Sequence, residues 1–132
     1  MTDNKTTFES LEEKVIGWGD AKNLVRAENA IPQLGKTMEE YLETRDAVVI
    51  WQTLKDITTL PDLSADTLTR ITEMMLDTAD EIEDGLGDVL VTLILFAKLS
   101  GLGCVGALET AYNVIKNRTG KTVDGVFIKD SD

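Results

Sequence analysis

The chain has 132 residues, enough for one domain with a real core, and 42% of them are apolar, which favours a globular protein over a disordered or membrane-embedded one. Its formal net charge of −11 disfavours direct binding to nucleic acid, because the phosphate backbone would be repelled over most of the surface. An anionic substrate would therefore need cations to mediate its binding.

The first residues contain no basic segment followed by an apolar one, so a secretory signal is not expected and the cytoplasm is the predicted location. The longest apolar run, residues 89–99, is interrupted by Thr92 and Lys98. It is also much shorter than the roughly 20 residues that span a bilayer. This run predicts a buried helix.

Apolar residues recur at helical spacing in four segments. The first is predicted from about Phe8 to Ala27, and Pro32 suits the start of a second that continues from about Gln33 to Ile57. Ser64 is placed to cap a third helix that extends through Leu93.

Glycines divide the rest of the chain. Gly85 and Gly87 are expected to kink or divide the third helix, and Gly101, Gly103 and Gly106 mark the next break. A last helix then runs through Ile115 and closes near Gly120. The sequence thus predicts one all-α domain over residues 1–132, a bundle of four to five helices with a short irregular tail from about residue 120.

The residue types restrict the chemistry. The chain has no histidine and a single cysteine, Cys104, so the usual zinc ligand sets and the Ser-His or Cys-His nucleophile pairs cannot be assembled. Carboxylates, lysines and tyrosines remain as general acids and bases. Any metal ion would have to be a hard cation bound through oxygen.

Several acids lie in line with apolar core positions. In the second helix, Glu40 and Glu43 continue at three- and four-residue steps into an apolar stripe. In the third helix, four acids continue in the same way into Val91 and Leu95. These four are Asp77, Glu81, Asp84 and Asp88. Carboxylates that face an interior are costly unless a cation compensates them. The pattern therefore predicts that Mg²⁺ joins the two helices. With 24 acids in the chain, chance alignment of ordinary surface residues is an equally open interpretation.

Three segments resemble the MazG-like nucleoside triphosphate pyrophosphohydrolases, particularly the short forms carried by bacteriophages. They read KTMEEYLE from Lys36 to Glu43, DGLGDVLV from Asp84, and AYNVIKNRTGK from Ala111 to Lys121. The family pattern is an EExxE helix followed by an ExxD helix, and Glu39, Glu40 and Glu43 match its first half. The resemblance implies the all-alpha NTP pyrophosphatase fold, completed by a homodimer or homotetramer.

The chain departs from this pattern at two places. Gly85 stands where the family has the glutamate three residues before Asp88, so that ligand role would pass to Asp84 or Glu81. The connection between the motifs, residues 44–83, is also longer than expected for the family.

The resemblance implies Mg²⁺-dependent hydrolysis of nucleoside triphosphates, deoxynucleotides included, to the monophosphate and pyrophosphate, with Mn²⁺ as a substitute metal. The implied metal ligands are Glu40, Glu43, Asp84 and Asp88, and the implied general base is Glu39, Glu40 or Glu81. The implied substrate-binding residues are Lys36, Asn113, Lys116, Arg118 and Lys121. Trp18 has two interpretations, stacking on a base or a place in the core, and the core is favoured.

Two other functions fit the same sequence. The first is a non-catalytic acidic helical protein that mimics DNA charge or binds a host factor. The second is a nucleotide-binding relative in which Gly85 has impaired turnover. If a bacteriophage encodes the chain, its location would be the host cytoplasm.

Overall fold

The structure, a computed structural model, describes residues 6–130. This part of the chain is mostly helical, and a small antiparallel hairpin follows the helices. The helices are α1 (Phe8–Ala21), α2 (Ala30–Ile57), α3 (Ala65–Leu99) and α4 (Cys104–Ile115), and the strands are β1 (Gly120–Val123) and β2 (Val126–Lys129). The helical prediction is confirmed, whereas the expected irregular tail is wrong.

The hairpin turns at Asp124 and Gly125, which have φ angles of 49° and 77°. Two successive residues with positive φ are typical of a type I′ turn, whose twist matches that of the strands it connects. Val123 therefore pairs with Val126 beside the turn, and Gly120 pairs with Lys129 at the open end. An Asp-Gly pair between two short apolar runs is the sequence signal for such a hairpin.

The first helix ends six residues earlier than predicted. Asn23 adopts the left-handed region with a φ of 59°, and its N–H donates to the carbonyl of Asp20 at 3.0 Å. The N–H of Leu24 donates to the carbonyl of Gly19 at 2.9 Å. This pair of bonds is the Schellman arrangement that ends helices, and asparagine tolerates the left-handed position.

The third helix begins as predicted, because the N–H of Thr67 donates to Oγ of Ser64 at 3.1 Å and so satisfies a free donor of the first turn. It then continues without a break through Gly85 and Gly87, so the predicted division at these glycines is wrong. The helix spans 35 residues, and Gly101, with a φ of 75°, ends it.

α2 and α3 pack against each other along most of their length. Oγ1 of Thr37 donates to Oγ1 of Thr92 at 2.8 Å, and one heptad later Thr44 lies against Gly85. A step of seven residues forward in α2 thus corresponds to seven residues backward in α3. The two helices are antiparallel, with the seven-residue repeat of a left-handed coiled coil.

The buried residues follow this contact. In α2 they are Gln33, Glu40, Ala47 and Leu54, again seven residues apart, and in α3 they are Ile71, Thr78, Thr92, Ile94, Leu95 and Ala97. The predicted buried helix at residues 89–99 is therefore confirmed. α1 packs across α3, where Gly19 is buried against Leu95.

Within residues 6–130, no single helix is long and apolar enough to cross a membrane; α3 and α4 meet that test of length and composition only when taken together across their 97° bend.

Candidate functional site

A cavity of about 460 Å³ lies where α1, α2 and α3 meet. Its volume falls within the range of small-molecule sites, about 300–1,000 Å³. Its lining combines four apolar side chains with five polar or charged ones that come from α2 and α3. The lining consists of Trp18, Leu24, Gln33, Lys36, Glu40, Asp88, Val91, Thr92 and Leu95.

Glu40 is the buried carboxylate of this cavity, with 8% of the residue exposed. It reaches the interior because it lies on the same seven-residue repeat as Gln33 and Ala47. The prediction that this acid faces inward is confirmed.

Lys36 supplies the positive charge beside Glu40. Its Nζ lies 3.1 Å from Oε1 of Glu40 and 3.1 Å from Oε1 of Glu39, one turn away on the same helix. The hydrogen bond to Glu40, followed by the one to Glu39, raises the pKa of Lys36 above its ordinary value of 10.5. The lysine is therefore held as a cation at the mouth of the cavity.

Asp88 enters the same cavity from α3. It also lines an adjoining cavity of about 380 Å³, which it shares with Lys14, Val91 and Trp18. The two motif residues that the structure brings to one cavity are thus Glu40 and Asp88.

Trp18 lines both cavities and is 51% exposed, so the favoured prediction of a core role is wrong. The exposure of Trp18 follows from the geometry of α1, because the neighbouring Gly19 occupies the buried position against Leu95. An indole that is half exposed beside two carboxylates and a lysine offers a flat apolar surface to a ligand.

Gln33 is a cavity residue that the sequence analysis did not identify. Its residue exposure is 9%, yet among residues 6–130 its side chain has no hydrogen-bond partner. Every fully buried side-chain nitrogen or oxygen in that range has a hydrogen-bond partner. Because the amide atoms of Gln33 have none, they are not fully buried and remain accessible. The amide can therefore donate to and accept from a ligand. Its position seven residues before Glu40 was the available signal.

The other predicted acids do not line this cavity. Glu43 is exposed, so the prediction that it faces inward together with Glu40 is wrong. Glu81 and Asp84 are exposed as well, and Glu39 is exposed beside Lys36. The predicted inward stripe of α3 is wrong for the single chain, because Asp77, Glu81, Asp84 and Asp88 are all exposed. Gly85 and Thr92 contact Thr44 and Thr37 of α2, and at Gly85 the contact leaves no room for a carboxylate side chain.

Gly85 is explained by this contact. A Cβ at this position would overlap Oγ1 of Thr44 and lie 3.1 Å from its Cβ. A glutamate there would have to push the helices apart. The departure from the family pattern thus coincides with a close contact between α2 and α3.

The predicted substrate-binding residues after α3 lie elsewhere. Asn113, Lys116, Arg118 and Lys121 are exposed residues between the last turn of α4 and β1, with Lys121 inside the strand, and they line neither cavity. Nζ of Lys116 donates to Oδ1 of Asn113 at 3.1 Å. Of the predicted substrate residues, only Lys36 lies at the cavity.

Across the described part of the chain, no group of three or more acids or cysteines is close enough to hold a metal ion by itself. The four-carboxylate cage is therefore not assembled in one chain. Mg²⁺ is usually bound by one or two carboxylates together with substrate phosphates and water. Glu40 and Asp88, both hard oxygen donors on one cavity, fit that mode of binding.

Comparisons with protein-family models, with curated proteins and with solved structures found no match to this chain.

Proposed function

We propose that the chain is a Mg²⁺-dependent nucleoside triphosphate pyrophosphohydrolase of the MazG-like, all-alpha NTP pyrophosphatase type. The observation that carries the proposal is the convergence of Glu40, Lys36 and Asp88 on one cavity beside an exposed indole. A nucleoside triphosphate has the three matching parts: a charged phosphate chain, a polar sugar and an aromatic base.

The cavity suggests how these parts are distributed. Glu40 and Asp88 would hold the metal ion, and Lys36 would move from the carboxylates to a phosphate oxygen as an ion pair. The base would stack on Trp18, and the amide of Gln33 would contact the base or sugar.

In the reaction, water cleaves the bond between the α- and β-phosphates. The products are the monophosphate and pyrophosphate, which together take up the oxygen and the protons of that water. A carboxylate accepts the proton of the attacking water. Glu40 lines the cavity and Glu39 is paired with Lys36 at its mouth, whereas Glu81 neither lines the cavity nor pairs with Lys36. The proposal therefore favours Glu39 or Glu40 as the base. Bound Mg²⁺, or Mn²⁺ in its place, would neutralise charge on the leaving pyrophosphate.

We also propose a cytoplasmic location and a homo-oligomeric state, either a dimer or a tetramer. Large apolar side chains are exposed along all four helices, including Trp18, Met38, Leu86 and Tyr112. Exposed apolar side chains in such number are what a subunit interface would cover.

The test is to incubate the protein with each nucleoside and deoxynucleoside triphosphate and Mg²⁺ and to measure pyrophosphate. We expect release that EDTA abolishes, and a loss of at least about 100-fold in Asp88→Asn. Glu43→Gln tests the last acid of the first half of the motif in the same assay. Glu73→Gln is the matched control, since Glu73 is an exposed acid of α3 outside both cavities. Unchanged activity in Asp88→Asn and Glu43→Gln would dispose of the proposed site.

The two rival functions each have an observation in their favour. Gly85 and the absence of a three-acid cluster in residues 6–130 favour a nucleotide-binding relative without turnover. The exposed acids of α3 favour an acidic interaction protein. Nucleotide binding without pyrophosphate release would indicate the first, and no nucleotide binding at all would indicate the second.

A further inference from the structure

The segment after α3 forms an arm, residues 104–130, that is poorly packed in its own chain. Among the described residues, α4 contacts only α1 and α3, and the hairpin contacts no other element. The best-defined link to the rest of the chain is the N–H of Val105, which donates to Oε2 of Glu12 at 3.1 Å. No residue of α4 or of the hairpin is buried.

The arm is nevertheless apolar. Its exposed side chains include Leu108, Tyr112, Val114 and Ile115 in α4, and Val126, Phe127 and Ile128 in β2, each exposed by 49% or more. A 12-residue helix and a two-stranded hairpin are each only marginally stable without packing. The arm therefore requires a surface to pack on that its own chain does not provide.

The distribution of charge identifies that surface. Residues 1–103 contain 9 Lys and Arg against 20 Asp and Glu, which gives −11, whereas residues 104–132 contain 4 of each and are neutral. Within the arm, Lys116, Arg118 and Lys121 follow one another with no acid between them. Residues 77–88 of α3 contain six acids and no cation. The basic segment of the arm and this acidic face of α3 are complementary.

The two cannot meet within one chain in this structure. No residue after Leu95 lines the cavity that contains Glu40 and Asp88, and the hairpin touches neither α2 nor α3. Leu86 within the acidic face and Leu90 just beyond it are exposed apolar side chains that could receive those of the arm.

We propose that the arm packs on the acidic face of α3 in a second copy of this chain, and that Lys116, Arg118 and Lys121 reach the second copy's cavity as its phosphate-binding cations. A reciprocal exchange of arms closes a two-fold symmetric dimer. The part played by the three cations at the cavity rests on the proposed function, whereas the packing of the arm does not.

Cross-linking of isotopically mixed protein tests the packing. Unlabelled and ¹⁵N-labelled chains are unfolded together, refolded at 1:1, and treated with a carbodiimide that joins lysine amines to carboxylates in contact. We expect links from Lys116 or Lys121 to acids of residues 77–88 that combine a labelled with an unlabelled peptide. Links only between peptides of the same label, or no such links, would overturn the proposal.

Light scattering provides a second measurement of the packing. We expect the wild-type chain to be a dimer or a dimer of dimers at micromolar concentration and Phe127→Asp to shift it towards smaller species. Leu60→Asp is the control, because Leu60 is an equally exposed apolar residue between α2 and α3 and outside the arm. A monomeric wild-type chain would contradict the proposal.

Complementation tests the shared site. The triple variant Lys116→Ala, Arg118→Ala, Lys121→Ala and the variant Asp88→Asn should each lose pyrophosphate release. A 1:1 mixture should regain about one quarter of wild-type activity, because half of the dimers would contain one intact site of two. If both variants still form oligomers but stay inactive when mixed, the three cations act in the site of their own chain. If the wild-type chain releases no pyrophosphate, the proposed function fails. The cross-links and the molar masses from light scattering still decide whether the arm packs on a second copy.

Discussion

Thr44 of α2 lies directly against Gly85 of α3, so closely that a Cβ at residue 85 would overlap the threonine hydroxyl. That hydroxyl donates to the carbonyl of Glu40 on the previous turn, at 2.7 Å. The contact thus fixes the spacing of the two helices one turn away from the proposed site.

Gly85→Ala should therefore destabilise the protein by about 1–3 kcal/mol, the usual cost of overpacking a close contact. Gly87→Ala is the matched control: nothing lies within 4 Å of a Cβ there, so alanine should stabilise the helix by roughly 0.5–1 kcal/mol. Urea denaturation measures both. Combining Gly85→Ala with Thr44→Ala should recover part of the loss. If the two glycine variants shift stability in the same direction, the close contact is wrong.

Trp18 should report nucleotide binding. Base stacking on an aromatic side chain contributes about 1–3 kcal/mol, so Trp18→Ala should weaken binding of a triphosphate with Mg²⁺ roughly 5- to 150-fold. Tryptophan fluorescence should fall on binding in Trp51→Phe, which retains Trp18, and stay constant in Trp18→Phe. Trp51 is a suitable control because it lines neither cavity and instead lies 5.2 Å from Nζ of Lys55. Quenching that persists in Trp18→Phe would refute the stacking.

The ion pairs of Lys36 predict a pH dependence at the alkaline end. Because the hydrogen bonds to Glu40 and Glu39 raise the pKa of Lys36 in the folded state, their contribution to stability is complete below the ordinary lysine value of 10.5 and disappears as the pH rises through the folded-state pKa. The difference in Tm between wild type and Lys36→Gln should stay constant from neutral pH to about pH 10 and shrink above it. A difference that grows with pH would contradict these contacts.

Cys104 should be a slow thiol. Burial, and then the negative charge of Glu12, raise its pKa above the ordinary 9.0, so little thiolate exists at pH 8. Alkylation with iodoacetamide at pH 8 should be slower in the folded protein than in urea, and Glu12→Gln should accelerate it. Equal rates in the folded and unfolded chain would show that α4 does not hold the thiol as described.

Local signals in the sequence were sufficient for most of the helices. Ser64 and the apolar spacing placed α3, and Pro32 falls in the first turn of α2, where its missing N–H costs nothing. The errors arose where one residue's backbone conformation decides the outcome. Asn23 ends α1 early through its left-handed conformation, and Asp124 with Gly125 turns the tail into a hairpin.

The site was predicted only in part, because burial of a helix face depends on the partner helix. The spacing of Glu40 indicated an inward position, and the structure confirms it. On α3 the acids and the small residues Thr78, Gly85 and Thr92 have similar helical spacing, and only the contact with Thr37 and Thr44 determines which set faces inward. No property of α3 alone contains that information.

The central claim, that Glu40 and Asp88 share a metal ion with a triphosphate, is tested most directly by paramagnetic broadening of amide signals in ¹⁵N-labelled protein. Mn²⁺ replaces Mg²⁺, and a non-hydrolysable nucleoside triphosphate analogue supplies the phosphates. We predict that the amides of residues 36–44 and 84–92 broaden first, and that Asp88→Asn removes the effect. Broadening centred on residues 62–77, or spread evenly over the acidic surface, would contradict a metal site between α2 and α3.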